Sequence, residues 1–89
     1  MRHIDSVVIR GLKWIFRWDK AEAKEEKAHG LCYKTEREIV IDPQERPQCL
    51  LNTVIHELLH AIMPKASEAT VEFIADTLSS ALWRMGYRA

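Results

Sequence analysis

Alternation of apolar and polar residues predicts two β-strands at the start of the chain. Residues 6–9 are short and β-branched, and Arg10-Gly11 after them has the composition of a tight turn. Between residues 12 and 18 every second side chain is large and apolar, namely Leu12, Trp14, Phe16 and Trp18. We therefore expect an antiparallel hairpin that contributes an aromatic face to the core.

The pattern changes twice in the following residues. Residues 19–29 contain helix-forming residues without an apolar face, which predicts a solvated loop or one frayed turn. After Gly30, residues 31–34 and 38–42 have extended character, and Asp42-Pro43 ends the second segment. The sequence thus predicts four short strands before any helix.

From Pro47 onward the apolar period lengthens to about 3.6 residues, which predicts a helix that Pro47 begins and Pro64 ends. One side of this helix carries Leu51, Val54, Ile55, Leu58 and Ile62. On a helical projection, His56 and His60 lie roughly opposite that apolar side. We therefore expect both imidazoles to face away from the sheet.

A second helix is predicted from the N-cap Ser67 to Gly86. Its inner face holds Val71, Ile74, Ala75, Leu78, Leu82 and Met85. Because only residues 63–66 connect the two helices, they should lie antiparallel. The expected fold is α+β, with a small antiparallel or mixed sheet of three or four strands packed on the first long helix and followed by the second helix.

The segment His56-Glu57-Leu58-Leu59-His60 has the H-E-x-x-H spacing, which places two imidazoles one helical turn apart, where both can bind one zinc ion. Glu57 projects away from both rings, so its expected role is a general base rather than a ligand. The alternative is a pair of surface or capping histidines, since short motifs also arise by chance. The complete apolar side of the helix and the closing proline favour the metal interpretation.

A zinc site of this type needs a third protein ligand. A three-histidine site is excluded, because the positions that would hold its glycine and third histidine are Met63 and Ala66. The remaining candidates are acids of the second helix. Glu68 projects closest to its inner face, followed by Glu72 and then Asp76. We expect Glu68 as the third ligand, with Glu72 as the alternative.

Other polar residues give weaker signals. Cys32 and Cys49 are too few for a disulfide framework and are expected to be reduced and at least half-buried. Cys49 and Thr53 share the predicted histidine side, where Thr53 would hydrogen-bond the helix backbone or a group beside the ligands. His3 and His29 lie outside any metal spacing and are expected to be exposed.

Composition limits the classes of function. Thirteen basic and thirteen acidic side chains cancel, which gives no indication of a nucleic-acid or anionic membrane partner. No apolar stretch approaches the roughly 18 residues of a membrane span, and the start lacks a signal-peptide pattern. With 89 residues, 47% of them hydrophobic, we expect residues 1–89 to form one soluble, unprocessed cytoplasmic domain. The sequence does not indicate the oligomeric state.

These motifs resemble the very small zincin-like metallopeptidases of phages and prophages, which are related to the ImmA/IrrE-type and SprT-like groups. The resemblance covers nearly the whole chain and rests on the hairpin around Arg10-Gly11, Gly30-x-Cys32, residues 39–42, residues 53–61 and Ser67-Glu68-x-x-Val71. It implies zinc ligands at His56 and His60 and a catalytic glutamate at Glu57. The acidic third ligand would fall on Glu68 or Glu72.

The expected function is zinc-dependent hydrolysis of peptide bonds, in which Glu57 removes a proton from a zinc-bound water. A peptide or protein substrate would pair with an edge strand beside the metal, and residues 39–41 are the expected edge. One alternative is a catalytically weak or inactive zinc-binding regulatory or interaction module with the same fold. Another is a metal-free structural protein in which the histidine pair is accidental.

Overall fold

The computed structural model describes residues 1–87 as four strands and three helices. In chain order these are β1 (Ser6–Ile9), β2 (Leu12–Trp18), α1 (Lys20–Glu25), β3 (Gly30–Tyr33), β4 (Glu38–Ile41), α2 (Pro47–Ile62) and α3 (Glu68–Arg84). The strands form one mixed sheet in the order β1-β2-β4-β3, in which β2 and β4 are parallel and the other pairs antiparallel. The predicted α+β class and sheet size are confirmed.

Strands β1 and β2 form the predicted hairpin. Arg10 and Gly11 connect them with φ values of 50° and 77°. Positive φ at both turn positions is characteristic of the two-residue turns whose twist matches that of the strands. Trp14 and Phe16 are buried in the core, whereas Leu12 at the start of β2 is exposed. The predicted aromatic face is therefore confirmed over its central part.

Strand β4 lies in the middle of the sheet, so the prediction that residues 39–41 form an edge is wrong. It pairs in parallel with β2 on one side and antiparallel with β3 on the other. Ile39, Val40 and Ile41 are all fully buried. Three successive apolar residues are typical of a strand that is covered on both faces, and both α1 and α2 contact β4. The two edges of the sheet are β1 and β3.

Helix α1 occupies part of the segment that was predicted to be a loop or a frayed turn, and it precedes β3, so the prediction of four strands before any helix is wrong. Asp19 caps it, since its side chain accepts a hydrogen bond from the backbone N–H of Glu22 at 3.1 Å. Ala23 is completely buried, and Arg17 of β2 forms a 2.9 Å ion pair with Glu22. Such a short helix packs on the sheet through one small side chain. Its sequence therefore has no apolar periodicity from which the helix could be predicted.

The two long helices begin and end close to the predicted positions. Pro47 is in the first turn of α2, which ends before Pro64. Ser67 caps α3 by accepting a hydrogen bond from the backbone N–H of Thr70 at 3.1 Å. Gly86 follows α3 with a φ of 98°, the left-handed conformation that glycine adopts readily after a helix.

The side of α2 that packs on the sheet is rotated from the predicted one. Leu50 and Ala61 are buried against the sheet, with Val54 and Leu58 packed beside them, whereas Ile62 is exposed. The physical reason is that α2 contacts both the sheet and α3, so the average apolar direction points between these two neighbours. The imidazoles consequently lie on the flank of α2, beside β3, rather than opposite the sheet.

Helix α3 also departs from its predicted inner face in its second half. Val71 and Ala75 are buried, but Leu78 and Met85 are exposed. Ser79 is buried instead, and its hydroxyl accepts a hydrogen bond from the side chain of Asn52 at 3.0 Å. This contact joins the first half of α2 to the second half of α3, as expected for antiparallel helices. Within residues 1–87, no helix combines the length and apolar character needed to cross a bilayer.

Candidate metal centre

The two histidines of the H-E-x-x-H motif converge, as their spacing predicts. His56 and His60 lie one turn apart on α2, and their Nε2 atoms are 3.1 Å apart. Both side chains are mostly buried, with exposed fractions of 18% and 17%. A helix fixes the separation of two such rings, because residues at i and i+4 share one face.

Glu68 brings a carboxylate to the same point. Its Oε1 lies 2.7 Å from Nε2 of His56, and its Oε2 lies 2.9 Å from Nε2 of His60. Glu68 is the first residue of α3, immediately after the Ser67 cap, so the short connection from α2 sets its position. His56, His60 and Glu68 form a group that could hold a metal ion. The alternative ligand Glu72 is exposed and lies outside that group.

The chemistry of these donor atoms fits a bound cation. For both Nε2 atoms to hydrogen-bond the Glu68 carboxylate, each must carry a proton. The 3.1 Å separation of the two Nε2 atoms would then bring two N–H groups face to face, which is electrostatically unfavourable. A cation removes the conflict, because both nitrogens can present lone pairs to it together with the carboxylate.

The distances between the donor atoms also suit a small divalent ion. Ligands of tetrahedral zinc lie about 2.0–2.1 Å from the metal, which places neighbouring donors roughly 3.3 Å apart. The measured separations are 2.7, 2.9 and 3.1 Å. The donor atoms would therefore have to separate by only a few tenths of an ångström to receive the ion.

Glu57 lies beside the three donors without joining them. Its side chain is buried, and this burial raises the pKa of its carboxyl from 4.5 to about 7. The nearby Glu68 also raises this pKa, whereas His56 lowers it. Glu57 lines an open pocket of about 400 Å³ together with the three donors and residues of β3. A carboxylate with such a pKa, next to a metal centre, is suited to accept and return a proton.

Gly30 is a residue of this pocket whose role the sequence did not indicate. It begins β3 directly above α2, where a Cβ atom would lie 2.7 Å from Cγ2 of Thr53 and 2.9 Å from Cγ of Glu57. These distances are shorter than van der Waals contact. The absence of a side chain at Gly30 thus allows β3 to approach the helix that carries the motif. A lone glycine at the start of a strand was the only signal in the sequence.

We expect Gly30→Ala to destabilise the protein by about 1–3 kcal/mol, because the added methyl group overpacks the contact between β3 and α2. Denaturant unfolding of the metal-free protein measures this loss. Gly11→Ala is a control at a glycine with open space around it, where only the cost of its positive φ applies. Equal stability of wild type and Gly30→Ala would contradict this interpretation of the β3–α2 contact.

The remaining polar residues singled out in the sequence lie around this centre or away from it. Cys32 is half-buried in the metal pocket, and burial, together with the charge of Glu57, raises the pKa of its thiol to about 11. Cys49 is exposed, so its predicted burial is wrong. Thr53 donates a hydrogen bond to Glu45 at 3.2 Å rather than to the ligands. His3 and His29 are exposed, as predicted.

Comparisons of the chain with protein-family models, with curated proteins and with solved structures find no match.

Proposed function

We propose that this protein is a zinc-dependent metallopeptidase with a minimal zincin-like fold. The convergence of His56, His60 and Glu68 on one point supports this proposal most strongly. Two imidazoles and a carboxylate are the protein ligands of a common class of catalytic zinc sites, in which a further coordination position stays open for water or substrate. Glu57, placed beside these donors by the same helix, supplies the acid–base group that hydrolysis requires.

Each of the four side chains has a separate task in the proposed reaction. His56 and His60 would hold zinc through Nε2, and Glu68 would hold it through its carboxylate. Zinc, when bound, lowers the pKa of a water molecule and polarises the carbonyl of the scissile peptide bond. Glu57 would take up on its carboxylate a proton from the water whose oxygen attacks the peptide carbonyl, and would give that proton to the nitrogen of the amine as the C–N bond breaks.

Strand β3 is the edge to which we assign the substrate. It is the outer strand next to β4, and its residues Gly30, Leu31 and Cys32 line the same pocket as the metal donors. An extended peptide can add to such an edge through main-chain hydrogen bonds, which are independent of its sequence. This assignment replaces residues 39–41, which are buried in the middle of the sheet.

Removal and return of zinc test the proposal. We expect chelated protein to lose hydrolysis of an unstructured protein substrate and to recover it with one equivalent of zinc, because in the proposed reaction the metal polarises the carbonyl and lowers the pKa of the attacking water. Elemental analysis of protein purified without added metal gives the stoichiometry. Stoichiometric zinc without cleavage of any tested peptide or protein would instead support a zinc-binding regulatory module. Absence of zinc binding would contradict both functions.

A further inference from the structure

A second polar cavity lies beside the metal centre and is not explained by it. Its volume is about 400 Å³, and it lies between the first half of α2 and the second half of α3. The lining residues are His29, Glu45, Gln48, Cys49, Asn52, Thr53, Asp76, Ser79 and Ser80. No lysine or arginine is among these residues, whereas two carboxylates are. The cavity is therefore a polar site with an excess of negative charge.

Glu45 is the most unusual residue of this cavity. Its side chain is only 4% exposed, and within residues 1–87 its Oε1 atom is buried without a hydrogen-bond partner. The other oxygen, Oε2, accepts a hydrogen bond from Thr53 and lies 3.2 Å from Nδ1 of His29. Burial raises the pKa of the Glu45 carboxyl, against the opposing effects of Thr53 and His29. A buried carboxylate with one unsatisfied oxygen is costly unless a donor or cation completes it.

The cavity wall where Asn52 of α2 meets α3 also presents acceptor groups. The amide nitrogen of Asn52 donates to Oδ1 of Asp76 at 2.8 Å and to the hydroxyl of Ser79 at 3.0 Å. Because both hydrogens of this amide are used in that way, the group of Asn52 that is left for a ligand is its carbonyl oxygen, an acceptor. Acceptors on two sides of a cavity that contains no lysine or arginine favour a ligand that donates hydrogen bonds and carries positive charge.

This cavity and the metal pocket each share lining residues with a third, smaller cavity. The smaller cavity, of about 210 Å³, shares His29, Asn52 and Thr53 with the first and Gly30, His56 and Glu57 with the second. Residue 52 lies roughly 9 Å along α2 from residue 58, at 1.5 Å per residue. Residue 58 marks the level of the metal donors, because it is midway between His56 and His60. An extended peptide advances about 3.3 Å per residue, so a substrate residue two or three positions from the cleaved bond would reach the cavity.

We infer that the Glu45 cavity is a binding site for the ammonium or guanidinium group of a basic side chain, and that it selects peptide substrates with lysine or arginine near the cleaved bond. The selection of substrates rests on the proposed peptidase function, whereas binding of the cation does not. The long apolar stem of either side chain can lie along the cavity wall while its charged end reaches Glu45. Ionic hydrogen bonds to a buried carboxylate are stronger than neutral ones.

Binding is tested first with metal-free protein, so that no peptide is consumed. Two blocked alanine pentapeptides, one with a central lysine and one with a central norleucine, differ mainly in the terminal ammonium group. We expect wild type to bind the lysine peptide about tenfold more tightly in an NMR titration, which corresponds to 1.4 kcal/mol. The largest shifts should fall on backbone amides of the cavity, such as those of Asn52 and Ser79. Equal affinities, or shifts confined to other surfaces, would overturn the inference.

Variants then assign the preference to particular carboxylates. We expect Glu45→Gln to reduce the preference for lysine to less than about twofold, because the nearly isosteric amide keeps the shape and removes the charge. Glu72→Gln, on the exposed side of α3 outside the cavity, should keep the full preference. If Glu45→Gln does not fold, Asp76→Asn serves at the cavity rim and should lower the preference severalfold. An unchanged preference in the folded Glu45 variant, or failing that in Asp76→Asn, would reject the site.

Hydrolysis separates this inference from the proposed function. With zinc-loaded protein, peptides that contain a basic residue near the cleaved bond should show a kcat/KM about tenfold above their norleucine counterparts. Glu45→Gln should abolish that ratio, whereas the control Glu72→Gln should keep it. Binding of the lysine peptide without hydrolysis of any peptide would reject the peptidase but retain the cavity assignment. Hydrolysis without a preference for basic residues would reject the cavity assignment but retain the peptidase.

Discussion

Glu57→Gln is expected to reduce peptide hydrolysis by about 100-fold or more, the usual contribution of a positioned general base, and to leave zinc bound. Glutamine occupies nearly the same volume but cannot accept a proton at neutral pH. Because the proposed zinc donors are His56, His60 and Glu68, the substitution removes none of them. The measurements are kcat/KM on an unstructured peptide and the zinc content of the purified variant. Undiminished activity would exclude Glu57 as the base.

Denaturant unfolding of the same Glu57→Gln variant tests whether a loss of activity comes from a loss of fold. The pKa of Glu57 is raised from 4.5 to about 7 in the metal-free protein, so the folded state binds its proton more tightly than the unfolded state does. Deprotonation therefore costs stability as pH rises through this range. Glutamine avoids that cost. At pH 8 the metal-free variant should be at least as stable as wild type in denaturant unfolding.

Glu68→Ala is expected to weaken zinc binding by more than about 100-fold. Removing a group that only orients a ligand already weakens metal binding by roughly 10–100-fold. The larger effect is expected because Glu68→Ala deletes one of the three donors and the only charged one. Competition with a chromophoric chelator measures the affinity. The fold should persist, since the Glu68 side chain is 59% exposed and alanine favours helix.

Glu72→Ala is the matched control for this experiment. It changes the same residue type one helical turn further along α3, outside the donor group. We expect its zinc affinity to equal that of wild type. Loss of zinc from Glu72→Ala rather than from Glu68→Ala would make Glu72 the third ligand. Unchanged affinity in both variants would show that neither acid of this helix binds the metal.

The donor group was predictable because it depends on local geometry. The spacing of His56 and His60 places both rings on one helical face whatever the rest of the fold does. The short connection between the helices brings the first turn of α3 next to the end of α2, and this favoured Glu68 over Glu72. Caps and turns were predictable for the same reason, as at Ser67 and Arg10-Gly11.

Features that depend on distant parts of the chain were not predicted. The place of β4 between β2 and β3 depends on pairings between separate segments. Its run of three successive apolar residues was nevertheless a usable signal in the sequence, and all three are buried. The rotation of α2 follows from its packing against both the sheet and α3. The apolar pattern of the sequence gives only the average of these two directions. Gly30 and Glu45 owe their roles to contacts with α2, and no spacing rule connects either of them to the motif.

All three donor residues lie between positions 56 and 68, and the sheet contributes none of them. The chain entropy lost on closing a loop rises with its length, so the donors can meet at little cost. The parallel pairing of β2 with β4, by contrast, joins segments separated by α1 and β3, and such non-local contacts form slowly. A metal ion held by these three donors would therefore cross-link the two long helices through contacts that are local in the chain, without a contribution from the non-local pairing of the strands.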